Sequence, residues 1–223
     1  MTDAGFGAPA PAYPVGFDVE RQLSDRNRLT AGFRLILAVP HVLLAGGAGL
    51  GAGIGWWSWN RVTWRSGSSG GALGVVAGLM AVIAWFAIVF AATHPQGLWD
   101  FSAFYLRWRS RSLPYLMLLR DEYPPFADEA YPTTFEVSRP SGDRDRLSVG
   151  LRLIYVIPHL IVLFFLNIAW ALTSIVAWFA IVFTGGYPAG LYEFAVGVLR
   201  WDLRVEAYVL LMRDEYPPFR LAP

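Results

Sequence analysis

The chain contains two copies of several of its own segments, and this repetition constrains its fold more than any other feature. The heptapeptide RDEYPPF occupies residues 120–126 and again 213–219, and the hexapeptide WFAIVF occupies residues 85–90 and 178–183. Identical matches of this length do not arise by chance in a chain of 223 residues. Repetition of this kind is typical of a structure in which one unit occurs more than once. We therefore expect two units with the same order of elements.

The two units differ by one insertion. Residues 32–41 match residues 150–159 at an offset of 118, whereas the later matches have an offset of 93. The first unit, predicted at 13–126, therefore holds 25 residues that the second, predicted at 131–220, does not have. The extra residues map to about 50–74 and are rich in Gly, Ser and Trp. Because such insertions are tolerated at exposed loop tips, we expect a loop there.

Long apolar stretches predict a membrane protein. From residue 151 to residue 184, Arg152 is the only charged residue. One straight helix of that length would measure about 51 Å, whereas the hydrocarbon core of a bilayer is about 30 Å thick. We therefore predict two short spans that fold back at Asn167–Trp170. With the apolar stretches at 33–50 and 73–92, this gives four transmembrane helices in two hairpins.

Composition excludes several other classes of protein. Hydrophobic residues make up 55% of the chain and charged residues 16%, which excludes a disordered chain. A soluble helical bundle is disfavoured because the apolar stretches lack the polar stripe of a surface helix. A net charge of +1 provides no field for nucleic acid. The absence of Cys excludes disulfides, Cys-ligated zinc and thiol catalysis.

The distribution of Arg predicts the orientation. All 18 basic residues are Arg, and only Arg61 and Arg65 lie between the first two apolar stretches. Because basic residues accumulate on the cytoplasmic side, we expect a multi-pass protein of the cytoplasmic (inner) membrane with both termini and residues 94–150 in the cytoplasm. The two units are then related by an axis along the membrane normal. Residues 1–12 do not resemble a signal peptide, and we expect a disordered tail there.

The remaining segments complete each unit. Apolar residues alternate at 13–19 and at 131–137, which predicts two short strands. Residues 191–212 have apolar residues at spacings of three and four, and their charges include Arg200 and Glu206. This pattern predicts an amphipathic helix in the headgroup plane. The predicted fold is thus a mainly α integral membrane protein, in which each unit comprises a short strand, a two-span transmembrane hairpin, an interfacial amphipathic helix and an extended tail.

Several of these segments resemble a known protein family. The strand segment YPVGFDV, the apolar segments that contain Pro-His, the long block at 178–219 and their duplication resemble actinobacterial membrane proteins of the family called domain of unknown function 4389. The resemblance covers about residues 13–220. It implies a membrane location and tandem two-helix units, and it assigns no activity to any residue. The first unit departs from the family pattern through its Trp-rich insertion and through His94-Pro95, which stands where the second unit has Tyr187-Pro188.

One polar pair in each unit is the best candidate site. Arg34 stands seven residues before His41, and Arg152 stands seven residues before His159. Seven residues are almost two helical turns, so each pair shares a face with its members about 10 Å apart. Polar residues at membrane depth are costly and often functional, which favours a site for a lipid headgroup or a proton. In the other interpretation, the Arg reach the cytoplasmic headgroups and each His bonds a carbonyl that the preceding proline frees.

The other polar groups give weaker signals. The paired acids at 121–122 and 214–215 suit acid–base chemistry, but we expect them to pair with Arg while the following Tyr and Phe pack on the strands. The three His lack the spacing of a zinc site, although His41 and His159 would supply two ligands if they converged. We expect no metal and no cofactor. Motifs for a nucleophilic serine, a phosphate-binding loop or a dinucleotide are absent from the sequence.

These observations favour a non-catalytic accessory or scaffold protein of the membrane, and we do not expect an enzyme. The alternative is a lipid- or small-solute-binding, transporter-like protein with one Arg/His site in each unit. A membrane enzyme has only the His pair and the acidic tails in its support. The expected partners are the lipid bilayer and either another membrane protein or a second copy of the chain, and no nucleic acid.

Overall fold

A computed structural model describes residues 13–47, 70–127, 129–142 and 144–223. Its elements in chain order are β1 (Val15–Val19), α1 (Arg28–Leu37), α2 (Val39–Ala45), α3 (Gly71–Ala91), α4 (Gln96–Leu116), β2 (Thr133–Val137), α5 (Arg146–Gly150), α6 (Arg152–Tyr155), α7 (Ile157–Thr184) and α8 (Ala189–Val209). The chain is therefore mainly helical, as predicted. The expected tail at 1–12 and the expected loop at 50–74, except for its last five residues, lie outside the described residues.

The two predicted strands form and pair with each other. β1 and β2 run antiparallel, with Phe17 opposite Phe135 and Val15 opposite Val137. The alternation of apolar residues buries one face of β1, where Phe17 is 5% exposed, and leaves Asp18 exposed on the other. β1 packs against α8 and β2 packs against α4, so the strand pair gains support that two strands alone lack in water.

The long apolar stretch at residues 151–184 does not fold back. α7 is one continuous helix of 28 residues, and it contains Asn167 and Trp170, where we expected the turn. That prediction is wrong, because the stretch after Pro158 holds no Gly or Pro that would interrupt the backbone hydrogen bonds. Asn167 instead donates from Nδ2 to the carboxylate of Asp202 on α8, at 3.1 Å. The helix ends at Gly185, which takes the left-handed conformation that glycine permits.

Two helices are long and apolar enough to cross a membrane, namely Gly71–Ala91 and the combined helix Arg152–Thr184. The pair α1 and α2 passes the same test as one segment bent by 45°. The bend lies just before Pro40, as expected for a proline that removes a helix hydrogen bond. The described residues thus contain two candidate spans, or three if the bent pair is counted, where we expected four.

The start of α3 lies directly against the end of α2. A Cβ atom added to Gly71 would lie 2.7 Å from the backbone nitrogen of Gly46 and 2.7 Å from the carbonyl oxygen of Leu43. Gly71 also has a φ of +61°, which disfavours any other residue. Only glycine fits this close approach, and the insertion therefore separates two helix ends that remain in contact.

The helix predicted to lie among the headgroups is instead in the interior. On α8, Arg200, Asp202, Arg204 and Glu206 are all buried. An amphipathic helix with an exposed charged face is therefore not what forms, because the chain itself covers that face, and the position of α8 relative to the headgroups stays a prediction. Arg200 donates from Nε to the carbonyl of Phe17 on β1 at 2.9 Å and from Nη1 to the carbonyl of Leu221 at 2.9 Å.

The elements form three layers. The strand pair lies on one side of α4 and α8, while α3 packs on α4 and α7 packs on α8. The outward sides of α1, α3 and α7 expose large apolar side chains, of which Phe33 (61%), Phe90 (74%) and Phe183 (72%) are examples. Polar groups therefore concentrate inside the molecule and beside the strands, and the apolar surface is on the outside.

We predict that Phe17→Asp lowers the stability of the protein in detergent by about 3 kcal/mol or more, because it places a carboxylate in the space of a buried ring. Phe135→Asp should have a smaller effect, since Phe135 is only partly buried. Thr134→Asn on the exposed face of β2 is the control and should leave the melting temperature almost unchanged, since it adds no charge opposite Asp18. Equal melting temperatures for all three variants would show that the strand pair does not support the fold.

Candidate functional site

Arg34 does not reach the surface of the molecule. Its side chain is 2% exposed and donates from Nη2 to Oδ1 of Asp121 at 2.6 Å. Nη1 donates to the carbonyls of Tyr115 and Arg120, and the guanidinium lies 4.1 Å from the centre of the Tyr115 ring. Arg34 thus fixes the segment that leaves α4.

Arg152 makes the corresponding contacts at the end of α8. Its Nη2 donates to Oδ1 of Asp214 at 2.8 Å, and Nη1 donates to the carbonyls of Tyr208 (2.9 Å) and Arg213 (2.7 Å). The guanidinium lies 4.3 Å from the centre of the Tyr208 ring. Like Arg34, Arg152 is 2% exposed at its side chain.

A second arginine completes each cluster. Arg26 donates from Nε and Nη2 to the two oxygens of Asp121, at 3.0 and 2.9 Å. Arg144 donates to Asp214 in the same way, at 2.6 and 2.7 Å. We call Arg26, Arg34 and Asp121 the first Arg–Asp cluster, and Arg144, Arg152 and Asp214 the second Arg–Asp cluster. In each cluster, one Arg precedes the first helix of an apolar segment, the other Arg lies within that segment, and the Asp lies on a tail far along the chain.

The electrostatics of the clusters favour ionised carboxylates. Burial by itself would raise the pKa of Asp121, but hydrogen bonds from Arg26, the Asn27 amide and Arg34 outweigh it and lower the pKa. Burial opposes ionisation of Asp214 as well, and the bonds and charges of Arg144 and Arg152 lower its pKa. Two fixed guanidinium groups per carboxylate therefore favour the ionised form of both acids.

His41 lies in a box of aromatic side chains. Its Nδ1 accepts a hydrogen bond from Nε1 of Trp108 at 3.1 Å. The ring stacks on Phe126 at a centroid distance of 4.7 Å and lies 4.9 Å from Tyr123. Because Nδ1 accepts, a neutral His41 carries its proton on Nε2.

His159 has the equivalent surroundings. Nε1 of Trp201 donates to its Nδ1 at 3.1 Å, Phe219 stacks on the ring at 4.0 Å, and Tyr216 lies at 4.7 Å. Each tail therefore contributes a Tyr and a Phe to a histidine rather than to the strands, where we expected them. The strands reach the tails differently, since Tyr13 and Tyr131 donate from their hydroxyls to the carbonyls of Glu215 and Glu122.

The structure separates the two candidate pairs. Arg34 and His41 contact one tail, and Arg152 and His159 contact the other, so the two histidines do not converge. Within the described residues no three His, Asp or Glu side chains form a group that would hold a metal ion. A cleft beside Phe126 has a volume of about 10 Å³, which is close to the space of one water molecule. A lipid site at these four residues stays a prediction.

The polar network in the middle of the molecule is not predicted from the sequence. Arg109 on α4 and Glu206 on α8 form an ion pair at 2.8 Å with both side chains fully buried, and Tyr105 donates to Glu206 at 2.8 Å. Asp202, one turn before Glu206, is also buried, and burial raises its pKa to about 7. The charged residues at 200–206 could have indicated this buried network, but their spacing led us to expect a charged face at the headgroups.

We predict that replacing both cluster carboxylates, Asp121→Asn with Asp214→Asn, removes about 3 kcal/mol or more of unfolding free energy at pH 7, since four buried arginines lose their counter-charge. The native pKa of each Asp is below its ordinary 3.8. Their stabilisation is therefore present above pH 3.8 and is lost as the pH falls through the native pKa. Thermal melting in detergent between pH 7 and pH 3 measures both effects.

Asp25→Asn is the control for this pair, because Asp25 is exposed, outside both clusters, and in a left-handed conformation that Asn also adopts. It should change neither the melting temperature nor its pH dependence. An unchanged melting temperature in the double variant would contradict the structural role of the clusters.

Comparison with known proteins adds a family. The model of a family described as a domain of unknown function (DUF4389) matches residues 70–128 and 146–220, which is more than half of the chain. The first matched segment contains α3, α4 and Asp121, and the second contains α5 to α8 and Asp214. No curated protein and no solved structure matches the chain. The chain belongs to this family, the domain of unknown function DUF4389.

Proposed function

We propose that this protein is a non-catalytic accessory or scaffold protein of the cytoplasmic membrane, with both termini on the cytoplasmic side. The proposal rests on the observation that the candidate polar side chains bind the protein's own chain. The arginines and acids of both Arg–Asp clusters, and both histidines, bind segments of the same chain. The large apolar surface of α1, α3 and α7 faces outward. A surface of that kind suits contact with lipid or with another membrane protein.

We also propose that the molecule consists of two copies of one unit, related by an approximate two-fold axis. The paired contacts support this: Arg34 with Asp121 corresponds to Arg152 with Asp214. Other contacts cross between units, and they also occur in pairs. Trp178 donates to the Ala31 carbonyl at 3.0 Å, and Trp85 donates to the Val149 carbonyl at 3.1 Å. The strand register, with Phe17 opposite Phe135, fits an axis through the strand pair.

The two units also resemble each other in their apolar helices. In the second unit one helix continues from Ile157 to Thr184. In the first unit α2 and α3 abut at Gly46 and Gly71 and follow the same order. We propose that the insertion interrupts one long helix of the ancestral unit, rather than the tip of a transmembrane hairpin.

A double histidine variant distinguishes the scaffold proposal from the alternative in which His41 and His159 form a lipid or solute site. We predict that His41→Ala with His159→Ala lowers the melting temperature, because Trp108 and Trp201 lose their buried acceptors, at about 1–3 kcal/mol each. The folded fraction should remain in the membrane and retain its phospholipid. Melting temperature and bound phospholipid are measured on the same purified samples.

His94→Ala is the control for the loss of a buried histidine, since His94 is also buried but has its Nδ1 at 3.0 Å from the Pro95 carbonyl instead of beside a Tyr and a Phe of a tail. Loss of a specific lipid at an unchanged melting temperature would contradict the scaffold proposal and would favour the transporter-like alternative with one Arg/His site in each unit.

A further inference from the structure

The apolar outer surface raises the question of how the helices lie in a membrane. It extends along the full length of α3 and α7, with an exposed apolar side chain on almost every turn. On α7 these residues include Phe165 (64% exposed), Leu172 (60%) and Phe179 (49%), which are spaced by seven and share one face. A crossing helix and a helix lying in one leaflet both suit such a surface, and the charged groups decide between them.

The two Arg–Asp clusters lie at opposite ends of α7. At its start, Arg152 binds Asp214 of the second cluster. At its end, the carbonyl of Gly185 accepts a hydrogen bond from the backbone nitrogen of Arg26, in the first cluster, at 3.1 Å. The helix from Arg152 to Thr184 has 33 residues, or about 50 Å of length. Charged groups therefore flank both ends of this apolar helix.

The strand pair lies midway between those ends. α8 returns antiparallel to α7, since only four residues connect the two helices and since the carbonyl of Tyr208, near the end of α8, accepts from Arg152. Arg200 is the twelfth of the 21 residues of α8, and it donates to the carbonyl of Phe17 in β1. Arg204 and Tyr192 donate to the carbonyls of Val15 and Glu20, so β1 runs alongside the middle part of α8. The outer face of the strand pair carries Asp18, with a side chain 73% exposed, and the exposed Glu136.

A crossing orientation would place these groups in hydrocarbon. If α7 ran along the membrane normal, the clusters would lie on opposite sides and the strand pair would lie near the middle of the bilayer. A carboxylate there costs about 2.5 kcal/mol or more.

We propose that α3 and α7 do not cross the membrane but lie in its plane, with their outward faces among the acyl chains of the cytoplasmic leaflet. This inference rests on the membrane location in the proposed function. The strand pair and both Arg–Asp clusters then face the cytoplasm. The arrangement also places on one side the 16 Arg outside the insertion, whereas crossing helices would divide the two clusters between the two sides.

Depth measurement tests this arrangement in a chain that has no native Cys. Phe165→Cys, Leu172→Cys and Phe179→Cys each carry a spin label in vesicles of phosphatidylcholine and phosphatidylglycerol. In-plane helices predict three similar depths, within about 10 Å of the headgroups. A crossing helix predicts depths that differ by about 10 Å between successive positions. A label at Thr134→Cys, on the outer face of the strand pair, should report water.

Labelling from outside the cell gives a second readout. Ser24 and Ser141 are exposed, and they lie near the first and second clusters respectively. An impermeant thiol reagent should label neither Ser24→Cys nor Ser141→Cys in intact cells and both after lysis. Labelling of only one from outside, with Leu172 deepest, would overturn the in-plane arrangement and leave the scaffold proposal standing. A protein that is soluble without detergent, with every spin label in water, would overturn the membrane location itself.

Discussion

The fold depends on two carboxylates that are each held by two arginines. Asp121 and Asp214 stand on tails that leave the central helices, and each binds one Arg before an apolar helix and one Arg within it. The tails then bring Phe126 and Phe219 onto the histidines. A buried charge without its partner lowers the stability of the fold. Each cluster therefore holds its tail in one position.

This constraint explains why the charges are inside and the apolar surface is outside. Cluster arginines at both ends of the long helices, and Arg200 and Arg204 under the strand pair, bond to carbonyls and carboxylates of the chain. The outward sides of α3 and α7 are left with apolar residues alone, and lipid is the solvent that suits them. An orientation in one leaflet keeps both Arg–Asp clusters and the exposed carboxylates of the strand pair out of the hydrocarbon.

Sequence analysis predicted the two strands and the mainly helical fold, because alternating residues and long apolar stretches are local patterns. It failed at Asn167, where the length of the apolar stretch suggested a turn but no residue breaks the helix. It also assigned Arg200 and Glu206 to a water-facing side, since periodicity does not reveal which side a strand will cover. The partners of Arg34 and His41 lie more than 60 residues away, so only the tertiary structure identifies them.

The orientation of the helices in a lipid bilayer tests the central claim most directly. Polarised infrared spectroscopy of the protein in aligned bilayers reports the average angle between the helix axes and the membrane normal. Our account predicts axes close to the membrane plane, because α4 and α8 pack against the strand pair while α3 and α7 pack against α4 and α8. Axes close to the membrane normal would contradict it.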